Sequence, residues 1–273
     1  SASVLLDSIQ APDELTDKDF AHWCMLCGKV TDEAATGLLP IYQWQRAQQW
    51  FTEHGTAEEQ AQIDLYLGRA YVEDGEYDKA MQIYADALQL AKEHQAYNVA
   101  GYICAYMADL YGFRDITSEC LKKREEACEF FKKAENYKSY AYSLKDLAGE
   151  WAILDSFACT IPLLQKADSI SQLLHNKNLT AAIANAFALI YEMQGKYNEA
   201  ETAYLKAIST RSEESYKDSI GLLKVYIKNN KLGKAYELIK AITVHNDIAY
   251  SFNQAYYLLY KAEGKYKEAL HYK

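Results

Sequence analysis

Leu67-Gly68-Arg69-Ala70-Tyr71, followed by Gly75-Glu76-Tyr77 and then by Ala80, Tyr84 and Ala87, sets a spacing that the rest of the chain repeats. Forty residues on stand Met107, Ala108, Tyr111, Asp115, Thr117, Cys120 and Ala127. Forty more bring Leu147, Ala148, Trp151, Asp155, Phe157, Thr160, Leu164 and Ala167. Another forty bring Phe187, Ala188, Tyr191, Gly195, Tyr197, Ala200, Tyr204 and Ala207. Two later copies close up: Leu222, Tyr226, Asn230, Leu232, Ala235 and Ile239, then Tyr256, Tyr260, Gly264, Tyr266 and Ala269. A period in this range marks stacked units, each too small to bury its apolar face alone.

Each repeated position has a physical role. A small residue three before an aromatic (Gly68/Tyr71, Ala108/Tyr111, Ala148/Trp151, Ala188/Tyr191) puts both on one helical face. The small residue admits a neighbouring helix and the ring fills the space beside it. A second small residue (Ala80, Cys120, Thr160, Ala200) and an alanine two turns later (Ala87, Ala127, Ala167, Ala207) define one face of a second helix. Between them stand Gly75, Asp115, Asp155, Gly195, Asn230 and Gly264, residue types that tolerate the left-handed conformation that ends a helix. The unit is helix, tight turn, helix.

This skeleton resembles the tetratricopeptide repeat (TPR), a 34-residue helix pair. Leu67, Gly68, Tyr71, Tyr77, Ala80, Tyr84 and Ala87 match it. The early tryptophan of the repeat is replaced by Asp64, Cys104, Leu144 and Ala184. The fit is best in 61–94 and 181–214. It is weaker in 101–134, where Arg124 holds a normally apolar site and its stem covers core while its head reaches water. The resemblance implies an all-α, right-handed α-α superhelix of about six helix-turn-helix repeats. Spacing within each unit is standard, so the surplus residues lie between units, as longer helices over Asp78–His94 and Tyr97–Gly112.

The expected organisation is one continuous array over 61–273, with units near 61–100, 101–140, 141–180, 181–215, 216–249 and a shortened 250–273. Residues 1–60 form an opening helical segment and a degenerate first pair. Thr16-Asp17-Lys18-Asp19 starts a helix carrying Phe20, Trp23, Cys24 and Cys27. Pro40 opens a second with Trp44, Ala47, Trp50 and Phe51. The absent initiator methionine and the short final unit read as a piece of a longer protein. Pro162 falls inside the second helix of the third unit, so that helix either starts late, with Thr160 as cap, or kinks.

Net charge is −9, which argues against unaided nucleic-acid binding. From Lys217 to Lys273 ten lysines face five acids, against −14 for the first 216 residues. Two readings stand: a solvated lysine face, or an end turned to an anionic surface or acidic neighbour. No apolar run is long enough to span a membrane. The six cysteines read as small buried hydrophobes. Cys24 and Cys27 lack a second pair to complete a metal site. The six histidines are scattered, and no phosphate loop or nucleophile elbow is present. The sequence therefore carries no catalytic, cofactor-binding or metal-binding assignment, and a non-enzymatic role is expected.

Solenoids of helix pairs line a concave face with their first helices. Projecting the pattern puts Gln62, Leu65, Tyr66, Arg69, Tyr102, Tyr106, Asp109, Tyr142, Lys145, Asn185 and Leu189 on that face. The 24 tyrosines suit such a surface, since each offers an apolar body with a polar tip, and equally suit inter-helix packing. Leu65, Arg69, Tyr106, Tyr142 and Asp146 stand where chaperone-linked relatives carry their Lys/Asn carboxylate clamp, so chaperone-tail recognition is not implied.

Leu5-Leu6-Asp7-Ser8-Ile9-Gln10-Ala11-Pro12-Asp13-Glu14-Leu15-Thr16-Asp17, with Phe20-Ala21 and Cys24-Met25-Leu26, resembles the opening of Bacteroidetes envelope proteins that carry long tetratricopeptide arrays. That resemblance implies a lipoprotein-type sensor or scaffold ectodomain, with membrane and output segments elsewhere. The expected function is capture of a protein or peptide segment on the concave face. The alternatives are a cytoplasmic adaptor, which the cysteines favour, or a self-association module.

Overall fold

A computed structural model describes residues 6, 9, 11–34, 37–211, 216–242 and 249–273. Among these every regular element is helical, and they fall into two compact units. The first, Ser1–Tyr137, holds a short 3₁₀ turn at Pro12–Glu14, then α1 (Asp17–Ala34), α2 (Ile41–His54), α3 (Ala57–Glu73), α4 (Tyr77–Glu93), α5 (Tyr97–Phe113) and α6 (Thr117–Lys133). The second, Lys138–Lys273, holds α7 (Tyr137–Ile153, all but its first residue), α8 (Phe157–Leu173), α9 (Lys177–Met193), α10 (Tyr197–Thr210), α11 (Tyr216–Lys228), α12 (Leu232–Ala241), α13 (Ala249–Ala262) and α14 (Tyr266–Leu270).

The forty-residue period resolves into two 17-residue helices and two three-residue turns. The extra length lies in the helices, as the spacing predicts: α4 and α5 span Tyr77–Glu93 and Tyr97–Phe113.

Each turn closes the same way. Its middle residue takes positive φ: Gly75 (79°), Asp115 (57°), Asp155 (55°), Gly195 (71°), Asn230 (56°) and Gly264 (74°). The following N–H then bonds back to the carbonyl of the recurring aromatic, as in Glu76 to Tyr71 at 2.8 Å and Lys196 to Tyr191 at 2.8 Å. This is the Schellman closure, which satisfies carbonyls orphaned at a helix end. The turns between helix pairs use it too, with Gln95 (58°), Glu135 (54°) and His175 (49°) in the left-handed position. The backbone thus repeats every twenty residues although the side chains repeat every forty.

The second-helix positions are core: Ala80, Cys120, Thr160 and Ala200 are buried, as are Ala87, Ala127, Ala167 and Ala207. The first-helix small position allows a ring to lie against backbone. A Cβ on Gly68 would sit 2.3 Å from Tyr84 Cε1. The aromatics Tyr71, Tyr111, Trp151 and Tyr191 are half-buried, because their C-terminal position puts them at the edge of the packing.

At the start of the chain, Thr16 caps α1 by accepting from the Asp19 N–H at 3.2 Å. Arg46 of α2 ties down the preceding segment. It pairs with Asp17 at 2.8 Å, donates to the carbonyls of Asp13 and Leu15, and lies 4.0 Å over the Phe20 ring. Pro40 sits just before α2 rather than inside it. Thr56 and Glu59 form a reciprocal capping box at α3.

Of the two outcomes open at Pro162, the late start does not occur. Helix α8 begins at Phe157 and runs through Pro162. The Schellman closure of Ser156 N–H onto Trp151 fixes the helix start, and the Thr160 hydroxyl bonds the Ser156 carbonyl at 3.1 Å instead of capping.

Candidate functional site

A cleft of about 510 Å³ opens in the first unit between the C-terminal halves of α3 and α5, with α4 as its floor. Its lining is Arg69, Val72 and Glu73 from α3, Tyr77 and Tyr84 from α4, and Tyr106, Asp109, Leu110 and Phe113 from α5. The chain builds it by leaving out volume. Gly68 lets the Tyr84 ring lie against α3, and that ring forms part of the cleft lining. Tyr84 and Tyr106 stack with centroids 6.4 Å apart, and Tyr77 tilts against Phe113 at 5.2 Å. Four rings therefore shape one concave, mostly apolar surface with a few polar groups, the usual make-up of a ligand site.

The polar groups are distinct. The Arg69 guanidinium lies 4.9 Å from the Tyr106 ring centre, a cation–π contact. Asp109 pairs with Arg124 at 2.6 Å. Arg124 occupies the apolar register of Tyr84, Leu164 and Tyr204; its stem is buried as expected, but its head reaches this carboxylate. Tyr84 is fully buried, and its hydroxyl has no hydrogen-bond partner among the described residues. Burial first, then the neighbouring Tyr106, pushes its phenol well above the ordinary value. It stays protonated, a neutral hydroxyl lacking a partner.

Of the projected face, Arg69, Tyr106 and Asp109 come together in this cleft. Leu65 and Tyr66 do not reach solvent. Each is 1% exposed, and Tyr66 packs on Trp44 at 5.3 Å and covers Gly28. Both are core, and Tyr66 is so because α2 packs against that side of α3, which a projection from α3 alone leaves open. Gln62 is half-buried on the same helix. The Tyr102 ring is taken up by an edge contact with Phe131 at 4.8 Å.

In the second unit, Tyr142 and Lys145 are half-buried on α7, and Lys145 pairs with Asp146. Burial raises the Tyr142 phenol. Asn185 is used internally: its amide donates to Asp218, which is 1% exposed and also held by Arg211 at 3.0 Å. Leu189 is exposed.

Sequence projection missed Glu73, Tyr77, Tyr84 and Phe113. Tyr84 was in view as a core ring, but its hydroxyl end was not. The signal for Phe113 is a bulky apolar residue ending a first helix, at the register of Ile153 and Met193, which are also exposed.

None of the cysteines forms a disulfide, and Cys159 is exposed where the sequence reading expects a buried thiol. Cys24 is buried with its thiol raised by burial, and burial pushes Cys104 up to about 12, so neither is primed as a nucleophile. Among the described residues no cluster of metal-ligating side chains occurs, and no helix is long and apolar enough to cross a membrane.

Profiles described as tetratricopeptide repeats match residues 67–95 and 180–214, the two segments where the skeleton is most complete. The chain carries tetratricopeptide repeats. No curated protein matches its sequence. Solved structures match over most of its length. A Rap protein complexed with Competence and Sporulation Factor is 15% identical, covers 99% of this chain and 77% of its own, with a TM-score of 0.69. A tetratricopeptide repeat protein from Parabacteroides merdae is 14% identical, with 93% and 91% covered and a TM-score of 0.63. The signal-transduction ATPase PH0952 from Pyrococcus horikoshii, with its tetratricopeptide repeat sensor, is 15% identical, with a TM-score of 0.70 over 98% of this chain and 46% of its own. At these identities the likeness is one of fold.

Proposed function

We propose that the chain is a non-catalytic scaffold whose repeats capture a peptide or protein segment, with the α3/α5 cleft as a contact point. The observation that carries this is the cleft itself: four rings around about 510 Å³. Support comes also from the Rap complex, in which a chain of similar fold holds a bound factor. The test is a random octapeptide display library panned on the whole chain. Enriched peptides should lose binding to an Arg69→Ala/Tyr106→Ala variant whose helicity is unchanged. Peptides that bind this variant as well as the parent would remove the cleft from the reading.

The same reading places the chain as the sensing part of a longer envelope protein. Its support is the opening segment Leu5–Asp17 and the lysine-rich stretch from Lys217. Expression of the full-length gene with fractionation and protease accessibility tests it, and recovery in the cytosol would refute it. The adaptor alternative rests on six cysteines, none of them in a disulfide.

A further inference from the structure

The polar lining of the cleft is already engaged within the fold. Asp109 pairs with Arg124, the Arg69 guanidinium lies over the Tyr106 ring, and burial puts the Tyr84 hydroxyl out of reach. What remains open to a partner is apolar. Val72 and the rings of Tyr77 and Tyr106 are half-buried, and Phe113 is 69% exposed. Tyr77 backs Phe113 with ring centres 5.2 Å apart, so the two rings stand together as one wall of the cleft. The same register is exposed and apolar in the second unit, at Ile153 and Met193. At Phe113 the exposed group is a ring, and it meets other rings on a concave surface. Rings prefer edge-to-face or offset contact with another ring, so these walls favour a flat aromatic guest over a branched aliphatic one.

Charge sets what flanks that guest. Glu73 is exposed at the rim, as is Asp74 beside it, and neither makes an ion pair among the described residues. The nearby cations are already engaged: Lys79 with Glu76 at 3.3 Å and Arg114 with Asp78 at 2.9 Å. Residues 1–137 hold 24 acids against 12 bases, a formal −12. A segment with lysine or arginine beside its aromatic residue is drawn to such a surface, and an acidic segment is repelled.

Resting on the peptide-binding reading above, we infer that the cleft takes an aromatic side chain from a peptide segment that carries basic residues beside it. The aromatic ring is the anchor. It packs against Phe113 and Tyr106 and covers Val72, removing apolar surface of both partners from water. The basic neighbours stay at the rim near Glu73 and Asp74, where water screens them. They steer the segment and orient it, while the anchor supplies most of the affinity.

The octapeptides selected on the whole chain provide the test. Winners should share a Trp, Tyr or Phe with Lys or Arg close beside it. Replacing the aromatic residue by alanine in a fluorescein-labelled winner should weaken binding about tenfold in fluorescence anisotropy, and replacing the basic residues by glutamine about threefold. In the protein, Phe113→Ala should weaken binding about tenfold. Ile153→Ala removes a side chain of equal exposure at the same register of the second unit and should leave binding unchanged. Glu73→Gln/Asp74→Asn should weaken binding several-fold at low salt and flatten its salt dependence. These changes fall on exposed side chains, so circular dichroism should show each variant folded. Winners that lack the aromatic residue or its basic neighbours would overturn this assignment while leaving peptide capture standing. So would affinity indifferent to Phe113→Ala, or equally sensitive to Ile153→Ala. Selection that yields no binder would overturn both.

Discussion

The contact between Gly68 and Tyr84 can be tested against a control within the same chain. Gly68→Ala and Gly149→Ala both place a methyl group in a 17-residue first helix, and both gain helix propensity worth about 1 kcal/mol. They differ only in what the methyl meets. At Gly149 nothing lies within 4 Å. At Gly68 the new carbon would be 2.3 Å from Tyr84 Cε1 and 2.7 Å from Cδ1, where ordinary carbon contacts need about 3.5–4.0 Å. The ring is fully buried, so it cannot swing aside, and α3 must shift by about 1 Å. Overpacking of this kind costs about 1–3 kcal/mol. Gly149→Ala should therefore raise stability, and Gly68→Ala should fall below it by about 1–3 kcal/mol in urea unfolding followed by circular dichroism. A partner change completes the cycle. The chain already pairs Ala148 with a buried Leu164 at this register. Tyr84→Leu should thus lose little in the presence of Gly68→Ala and much more alone, a coupling of about 1–3 kcal/mol. If Gly68→Ala matches Gly149→Ala, the ring-on-glycine account of the repeat frame is wrong.

Other outcomes follow from the same geometry. Asp64 is half-buried beside Gln48 of α2 and accepts from it at 2.6 Å, and desolvation raises its carboxyl from 3.8 to about 6. A raised carboxyl stabilises the fold below its unfolded value and loses that contribution as pH rises through the folded one. Asp64→Asn should then stabilise by about 2 kcal/mol at pH 7.5 and hardly at all at pH 4, and an equal gain at both would refute it. Gln95, Glu135 and His175 adopt φ between 49° and 58°, where a side chain costs about 1 kcal/mol more than glycine, so Glu135→Gly should raise the melting temperature while Gly75→Ala lowers it. The same change at two equivalent rings should differ in sign: Tyr204→Phe loses the bond to Glu192 and about 1 kcal/mol, whereas Tyr84→Phe is neutral or stabilising in thermal melts.

The frame was legible because it is written in residues whose chemistry has few alternatives. Gly75, Gly195 and Asn230 announce left-handed turns, and the alanines at 80, 87, 200 and 207 announce close helix contact. The turns at Gln95, Glu135 and His175 were silent, since those residues carry no preference for positive φ. There the flanking helices impose the turn, and the side chains accept the strain. The projected face was less legible for a related reason. Helical spacing tells which side of α3 a residue is on, but not which neighbour covers that side. Tyr66 was lost to Trp44 of α2 and Leu65 is buried, while Arg69, one turn further on, stayed accessible.

The cleft shows where a repeating frame can hold function. Four rings or chains share one register, Tyr84, Arg124, Leu164 and Tyr204, opposite the small first-helix position. Leu164 is apolar core. Arg124 and Tyr204 satisfy a polar tip inside the fold, through Asp109 and Glu192. The Tyr84 hydroxyl has no hydrogen-bond partner among the described residues, and Val72 stands where Glu192 stands beside Tyr204. The frame tolerates all four, since each fills the same volume against the same helix, so stability does not dictate the choice of Tyr84. What distinguishes that choice is a ring that lies against Gly68 and lines the cleft beside Tyr106.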